Sequence, residues 1–135
     1  MKEITLEASL ENIPQATTFI DEELEKVDCS LKARMQIDVA IDELFANIAR
    51  YAYAPGTGAV TLRFDYDASA RMASLTFVDA GVPFDPLSRT DPDVTLSVQE
   101  REAGGLGIFL VKKTMDAMEY RRADNLNILT IRKRV

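Results

Sequence analysis

The chain has 135 residues, a formal net charge of −6, 47% hydrophobic residues and 28% charged residues. These values are typical of one soluble globular domain whose core needs no disulfide or structural metal. With no histidine and one cysteine, histidine-based catalysis, zinc cages and an intrachain disulfide are excluded. The acidic balance disfavours direct nucleic-acid binding. Without a signal peptide or an apolar run near the roughly 20 residues of a membrane span, we expect a cytoplasmic protein that does not bind membranes.

Hydrophobic periodicity predicts a strand and two helices in the first part of the chain. Residues 4–8 alternate between apolar and polar side chains, which indicates a strand. Apolar residues then recur at helical spacing, and Asn12 is expected to cap this first helix. Ser30 is expected to cap a second helix that runs from about residue 31 to about residue 53. The Pro- and Gly-containing segment 54–58 ends it.

The second part of the chain predicts two hairpins separated by a long loop and a helix. Segments 60–66 and 72–78 alternate around a turn at 67–70, which indicates an antiparallel hairpin. Segment 79–105 has little periodicity, as is typical of a functional loop, with a short helix or turn at 85–87. Helical spacing resumes over 106–118. A closing hairpin is expected from 119–122 and 126–131, across residues 124 and 125.

This order of elements predicts an α+β fold. The simplest packing is a two-layer sandwich, with the helices on one face of a mixed, mostly antiparallel sheet. One domain would span residues 1–135.

The second predicted helix carries an acid, an amide and a cation along one face. Glu43 and Asn47 stand four residues apart, with Cβ atoms about 6 Å from each other, and the stripe continues to Arg50. A carboxylate can take a proton or orient a water. An amide oxygen suits magnesium, which keeps several waters and binds substrate phosphate. A solvated helix face is the alternative, and this helix alone favours it.

Two later segments carry further chemistry. The segment VDAGVPFDP begins where a strand ends, so the Asp79 carboxylate can accept a hydrogen bond from the exocyclic amine of adenine. Gly81 lets a flat ring approach the backbone, although an ordinary turn is the alternative. The segment GGLGIFLVK leads glycines into a helix, whose exposed N–H groups can bind phosphate. A flexible hinge is the alternative there, and the segment matches neither a Walker loop nor a dinucleotide fingerprint.

Together the three segments read E-x-x-x-N on a helix, D-x-G after a strand and G-x-G opening a helix beyond a long loop. This set resembles the ATP-binding domain of the GHKL superfamily (the Bergerat fold). Within it the chain is most similar to the small anti-sigma-factor serine/threonine kinases of bacterial partner-switching systems. The resemblance covers nearly the whole chain and implies ATP and Mg²⁺ as ligands.

The resemblance also implies a role for each matching position. Asn47 would ligate magnesium, Glu43 would be the base toward a serine or threonine hydroxyl, and Asp79 would read the adenine amine beside Gly81. The phosphates would be held by Gly104, Gly105, Leu106, Gly107 and Ile108. The loop 85–103 would be a lid over ATP. Arg101 is placed to meet the terminal phosphate or a partner protein, and Arg50 is a second candidate.

The function implied is ATP-dependent phosphorylation of an anti-anti-sigma protein with a STAS domain, with a sigma factor bound in the other state. The alternative is a non-catalytic module that binds ATP or ADP and switches partners. The catalytic half of a sensor histidine kinase is disfavoured, because the chain carries no phosphoacceptor histidine. A gyrase- or chaperone-like ATPase is disfavoured for lack of transducing domains. An unpaired first strand would support a homodimer, as the resemblance implies.

Overall fold

Three helices and five strands make up the part of the chain that the computed structural model describes, which is residues 1–88 and 105–135, without the side chains of residues 88, 105 and 106. In chain order they are β1 (Lys2–Glu7), α1 (Ile13–Glu25), α2 (Leu31–Asn47), β2 (Ala59–Asp67), β3 (Met72–Asp79), α3 (Gly105–Thr114), β4 (Ala117–Ala123) and β5 (Leu126–Arg134). Short 3₁₀ turns at Leu10–Asn12 and Pro86–Ser88 precede α1 and follow β3, and a π-helical turn, Ile48–Ala52, continues α2.

The five strands form one sheet in the order β1-β2-β3-β5-β4. Every neighbouring pair among these strands is antiparallel. The α+β fold class is therefore confirmed, and within residues 1–88 and 105–135 the sheet contains no parallel pair. Among the described strands, β1 pairs only with β2 and forms one edge of the sheet. The basic C-terminal strand β5 lies between β3 and β4.

The core lies between the helices and one face of the sheet. The strands present their apolar residues to the helices at every second position, as β2 does with Val60, Leu62 and Phe64. The largest completely buried helical side chain is Phe45 of α2. The apolar residues of the helices and of the strands are therefore buried in the same layer. In the described part of the chain no helix has the length and apolar character that crossing a bilayer requires.

The two predicted helix caps have different outcomes. Ser30 caps α2, because its side chain accepts a hydrogen bond from the Ala33 N–H at 3.2 Å. Asn12 precedes α1 but makes no side-chain cap. Its amide instead donates to the Glu7 carbonyl at 2.9 Å, across the 3₁₀ turn that joins β1 to α1.

The predicted third helix is correct at its start and wrong at its end. α3 stops at Thr114, and Met118 lies in β4, paired with Ile131. Strand pairing with β5 outweighs the helical spacing of this segment, since tertiary contacts override weak local propensity. The closing hairpin is confirmed. Asp124 and Asn125 form its two-residue turn with φ of 54° and 63°, the left-handed conformations that such a hairpin turn requires.

Two carboxyl groups face each other where α1 packs on α2. The Asp21 and Asp38 side chains lie close enough for one carboxyl group to influence the other. Burial raises the pKa of Asp38 from 3.8 to about 7, and the neighbouring carboxyl group of Asp21 adds to this effect. The Arg34 cation opposes the shift, whereas the Asp42 carboxylate adds to it.

This pair predicts a loss of stability as pH rises. Because the pKa of Asp38 is raised in the folded state, the folded chain holds more protons than the unfolded chain between pH 3.8 and about 7. The free energy of unfolding should therefore fall across that window. Asp38→Asn should flatten the fall, measured by urea unfolding at about pH 5 and about pH 8. Glu25→Gln, an exposed change on α1, is the control, and an unchanged slope in Asp38→Asn would contradict the assignment.

Candidate functional site

A pocket opens between α2, the end of β3 and the start of α3. Its lining consists of Leu44, Asn47, Ile48, Tyr51, Ala52, Asp79, Phe84, Pro86, Ile108, Tyr120, Asn127 and Leu129. Three site residues predicted from separate segments, Asn47, Asp79 and Ile108, therefore meet in one place. Most of the wall is apolar or aromatic and only a few groups are polar, as is usual for small-molecule sites.

Asp79 supplies a buried carboxylate at the base of the pocket. It ends β3 and is 5% exposed. Its Oδ1 accepts hydrogen bonds from the Gly81 N–H at 2.9 Å and from the Asn127 side-chain amide, also at 2.9 Å. Two donors on one oxygen fix the plane of the carboxylate and offset part of the cost of burying it.

Asn127 holds that carboxylate in place. It is 5% exposed, and its Nδ2 donates to Asp79 and to the Val82 carbonyl, the latter at 2.8 Å. Its Oδ1 accepts from the Tyr120 hydroxyl at 2.5 Å and from the Phe84 N–H at 3.4 Å. Since both faces of the amide are engaged, its orientation is determined by its neighbours. The Asp79 carboxylate is thereby linked to the pocket wall on β4.

Sequence reasoning missed Asn127, although a signal for it was present. Strand alternation puts residue 127 on the same face of β5 as Leu129 and Ile131, which lie in the core. A polar side chain at a core-facing strand position must find hydrogen-bond partners. An amide there, one strand away from the end of β3, is therefore a candidate partner for Asp79.

The aromatic residues of the pocket were also missed. Tyr51 follows α2 and Phe84 follows β3, and their ring centroids lie 6.5 Å apart with the planes inclined by 30°. Tyr120 of β4 completes the set on the far wall. No pattern within one segment predicts these contacts, because each depends on how separate segments pack together.

The π-helical turn joins the end of α2 to the loop after β3. The Ala52 carbonyl accepts a hydrogen bond from the Val82 N–H at 2.8 Å. A Cβ atom on Gly81 would lie 2.2 Å from that same carbonyl oxygen. The space beside Gly81 is thus filled by the backbone of Ala52, and this internal contact requires the glycine. Turns of the π type occur frequently at functional sites.

Tyr53, the residue after the π-helical turn, is hydrogen-bonded both to β2 and to the loop after β3. The Tyr53 hydroxyl donates to the Ala59 carbonyl at 2.5 Å and accepts from the Ala80 N–H at 2.8 Å. Arg122 of β4 donates to the Gly81 carbonyl at 2.9 Å. Helix end, loop and sheet are therefore held together at the mouth of the pocket.

Glu43 lies against the first turn of α3. A Cβ atom on Gly107 would fall 1.9 Å from the Glu43 Oε2 atom and 2.5 Å from its Cδ atom. The glycine therefore makes room for the carboxylate. α3 begins at Gly105 and continues through Leu106, so its first N–H groups lie beside this carboxylate and have no partner within the helix. Such a helix start favours an anion.

The remaining predicted residues are placed differently. Arg50 is exposed, within the π-helical turn, and does not line the pocket. Arg101, Gly104 and residues 89–103 of the predicted lid lie outside the described residues.

A magnesium ion held mainly by phosphate and water fits the donors present. Among residues 1–88 and 105–135, no group of three or more acidic or cysteine side chains could hold a metal. Asn47 and Glu43 supply one amide and one carboxylate on successive turns of α2. Magnesium usually takes one or two protein oxygens and completes its shell with waters and substrate phosphates.

The contact at Gly81 predicts a loss of stability on substitution. Gly81→Ala would drive its Cβ into the Ala52 backbone, and overpacking of this kind costs about 1–3 kcal/mol. Urea unfolding measures the effect. Gly56→Ala is the matched control, because its Cβ would meet only the Tyr53 carbonyl at 3.4 Å. Equal unfolding midpoints for the two variants would contradict the packing argument.

Comparison with known proteins identifies the family. Residues 6–133 match the family model of the histidine kinase-like ATPase domain. The chain is 32% identical over 105 residues to the serine/threonine-protein kinase BtrW of Bordetella bronchiseptica, covering 76% of this chain and 71% of that protein. Its fold is similar to the histidine kinase domain of the blue-light activated histidine kinase of Erythrobacter litoralis EL346, with a TM-score of 0.56 and 18% identity. That match covers 78% of this chain and 46% of the larger one. The chain belongs to the histidine kinase-like ATPase family, and the pocket between α2, β3 and α3 lies in an ATP-binding domain of the GHKL type.

Proposed function

We propose that this protein is an ATP-dependent serine/threonine kinase that phosphorylates an anti-anti-sigma partner with a STAS domain, and that it binds a sigma factor in its other state. The observation that carries the proposal is the convergence of Asn47, Asp79 and the start of α3 on one pocket, with Glu43 at its edge. Similarity to a serine/threonine-protein kinase supports the choice of reaction. The proposal places the protein in the cytoplasm, with β1 as the edge where a second copy would pair.

The adenine ring would occupy the apolar part of the pocket. Asp79 Oδ1 already accepts two hydrogen bonds, which leaves Oδ2 as the acceptor for the exocyclic amine. Tyr51, Phe84 and Leu129 supply flat or apolar walls on either side. A fixed acceptor between apolar walls favours a planar base with an amine donor over one with a carbonyl at that position.

The phosphates would lie at the start of α3. Its first backbone N–H groups, from Gly105 to Gly107, are suited to hold the β- and γ-phosphates. Asn47 would contribute its amide oxygen to the magnesium ion, which supplies charge neutralisation when bound. The family resemblance implies this role for Asn47 as a magnesium ligand, and the position of Asn47 on the pocket wall supports the role.

Glu43 would accept the proton of the incoming hydroxyl. As it does so, the hydroxyl oxygen forms a bond to the γ-phosphorus while the bond to the bridging oxygen breaks, and ADP leaves. The helix start beside Glu43 would stabilise charge on the transferring group. The site would therefore act mainly by positioning the hydroxyl and the γ-phosphate, and a close contact between α2 and α3 is suited to this.

Nucleotide affinity should depend on Asp79 and on its support. Asp79→Asn removes a charge-assisted contact worth about 1.5–3 kcal/mol, so ATP should bind roughly tenfold to a hundredfold more weakly by calorimetry. Asn127→Asp should also weaken binding, because it sets a second carboxylate against Asp79.

Melting without nucleotide is the control for both variants, together with Asp65→Asn on the exposed side of β2. Unchanged ATP affinity in Asp79→Asn, or a drop in melting temperature that accounts for the whole effect, would contradict the role assigned to Asp79.

Phosphoryl transfer should depend on Glu43 and on the space beside it. Loss of a general base costs about 10²–10⁴ in rate, so Glu43→Gln should transfer far more slowly while ATP binding persists. Gly107→Ala should also slow transfer with little loss of stability, because its Cβ would meet the movable end of Glu43. Labelled ATP, magnesium and a candidate STAS-domain protein from the same organism provide the assay.

Asp42→Asn, a change at the exposed neighbouring position, is the control for transfer. If the wild-type protein binds ATP but transfers no phosphate to a serine or threonine, the kinase proposal is wrong and the non-catalytic nucleotide-binding module is the better interpretation. Transfer by Glu43→Gln at the wild-type rate would remove Glu43 from the chemistry.

A further inference from the structure

A stripe of exposed apolar side chains runs along α2 and continues on α3. Leu31, Met35 and Val39 are 66%, 58% and 46% exposed, and Leu110 of α3 is 43% exposed. The three α2 residues recur every four positions, so they lie on one face of the helix. Single exposed apolar residues are ordinary, but a contiguous stripe of them marks a contact surface.

The stripe borders a groove between the two helices. Met35, Gln36 and Val39 line one side of the groove, and Leu110 and Thr114 line the other. We call this the α2–α3 groove. Its lining is almost entirely apolar, and it lies outside the pocket described above.

The α2–α3 groove leads to the carboxylate proposed as the base. α2 and α3 run in opposite directions here, since Glu43 meets Gly107 at one end and the groove reaches Thr114 at the other. Val39 lies one turn before Glu43 on α2, and Leu110 lies one turn after Gly107 on α3. A polypeptide lying in the groove would therefore end beside Glu43.

Each of the two helices that form the groove carries an exposed lysine. Lys32 is exposed in the first turn of α2, and Lys113 is exposed in the last turn of α3. The Lys113 ammonium lies 5.3 Å from the centroid of the Phe109 ring. The chain as a whole carries a net charge of −6, whereas Lys32 and Lys113 give the groove a basic rim. It is complementary to acidic side chains on an occupant.

We infer that the α2–α3 groove docks the protein substrate, through an amphipathic segment with apolar side chains in the groove and acidic side chains at Lys32 and Lys113. The inference rests on the proposed function, whose chemistry requires a polypeptide hydroxyl at Glu43. Anchors at i and i+4 on a helix are the usual complement of such a groove. A second copy of the chain seated there would cover the approach to Glu43, which favours the substrate as occupant.

Charge placed in the groove should weaken docking. Leu110→Glu and Met35→Glu should each reduce affinity for the STAS-domain protein that wild type phosphorylates or binds about tenfold or more, since each buries a charge where an apolar anchor fits. Leu10→Glu is the matched control, because Leu10 is 47% exposed on the 3₁₀ turn before α1, away from the groove. Calorimetry with ATP and magnesium measures affinity, in a Glu43→Gln background that slows transfer.

The salt dependence of binding tests the contribution of the basic rim. Lys113→Glu should weaken binding and should reduce its dependence on salt concentration, whereas Leu10→Glu should change neither. ATP affinity should stay at the wild-type value in all groove variants.

The outcomes separate docking from catalysis. Binding by wild type without phosphoryl transfer, together with loss of binding in Leu110→Glu, supports the docking groove and overturns the kinase proposal. Wild-type binding and transfer in Leu110→Glu overturn the docking groove and leave the kinase proposal standing. If Leu110→Glu alters only the oligomeric mass by size-exclusion chromatography, the groove joins copies of the chain and the inference is wrong. Failure of wild type to bind the STAS-domain protein overturns both.

Discussion

The Asp79 carboxylate lies almost entirely out of water, and the pocket is built around its need for donors. A buried charge is stable only when hydrogen bonds replace its hydration. Asn127 and the Gly81 backbone provide two of these bonds. Asn127 in turn accepts a hydrogen bond from Tyr120 of β4. The position of Asp79 Oδ1 therefore depends on β4, β5 and the loop after β3. This arrangement gives the proposed base-recognition site a rigid acceptor before any ligand arrives.

Two glycines close the site around that acceptor by allowing main-chain or side-chain atoms to approach. Gly81 admits the carbonyl of Ala52, which brings the end of α2 onto the loop after β3. Gly107 admits the carboxylate of Glu43, which brings α2 onto the start of α3. α2 is thus the common partner of both later segments. The three motifs are far apart in sequence, and these two contacts explain how they form one site.

Much of this architecture was predictable from local patterns. Alternation and helical spacing found the five strands and three helices, and Ser30 was correctly identified as a cap. The errors lie where contacts between distant segments decide the outcome. Met118 joins a strand because β5 offers it a partner. Asn12 bonds to Glu7 because a 3₁₀ turn intervenes.

The site was predictable to the extent that its residues fall into short motifs. Asn47 and Asp79, which line the pocket, stand in such motifs, whereas Asn127 and the aromatic residues do not. The direction of the Arg50 side chain depends on a further feature that spacing alone does not reveal. Regular α-helical geometry would put it on the stripe of Glu43 and Asn47, but the helix widens into a π-helical turn after Asn47. The wider turn changes the direction of every later side chain.

That widening also divides one continuous helix into two parts with separate tasks. The regular part carries Glu43 and Asn47, and the widened part carries Tyr51 and the Ala52 carbonyl. Substitutions in the widened part can reshape the pocket wall at Tyr51 without rotating Glu43 and Asn47 on the regular part. The pocket wall and the helix face that carries Glu43 can therefore change independently on the same scaffold.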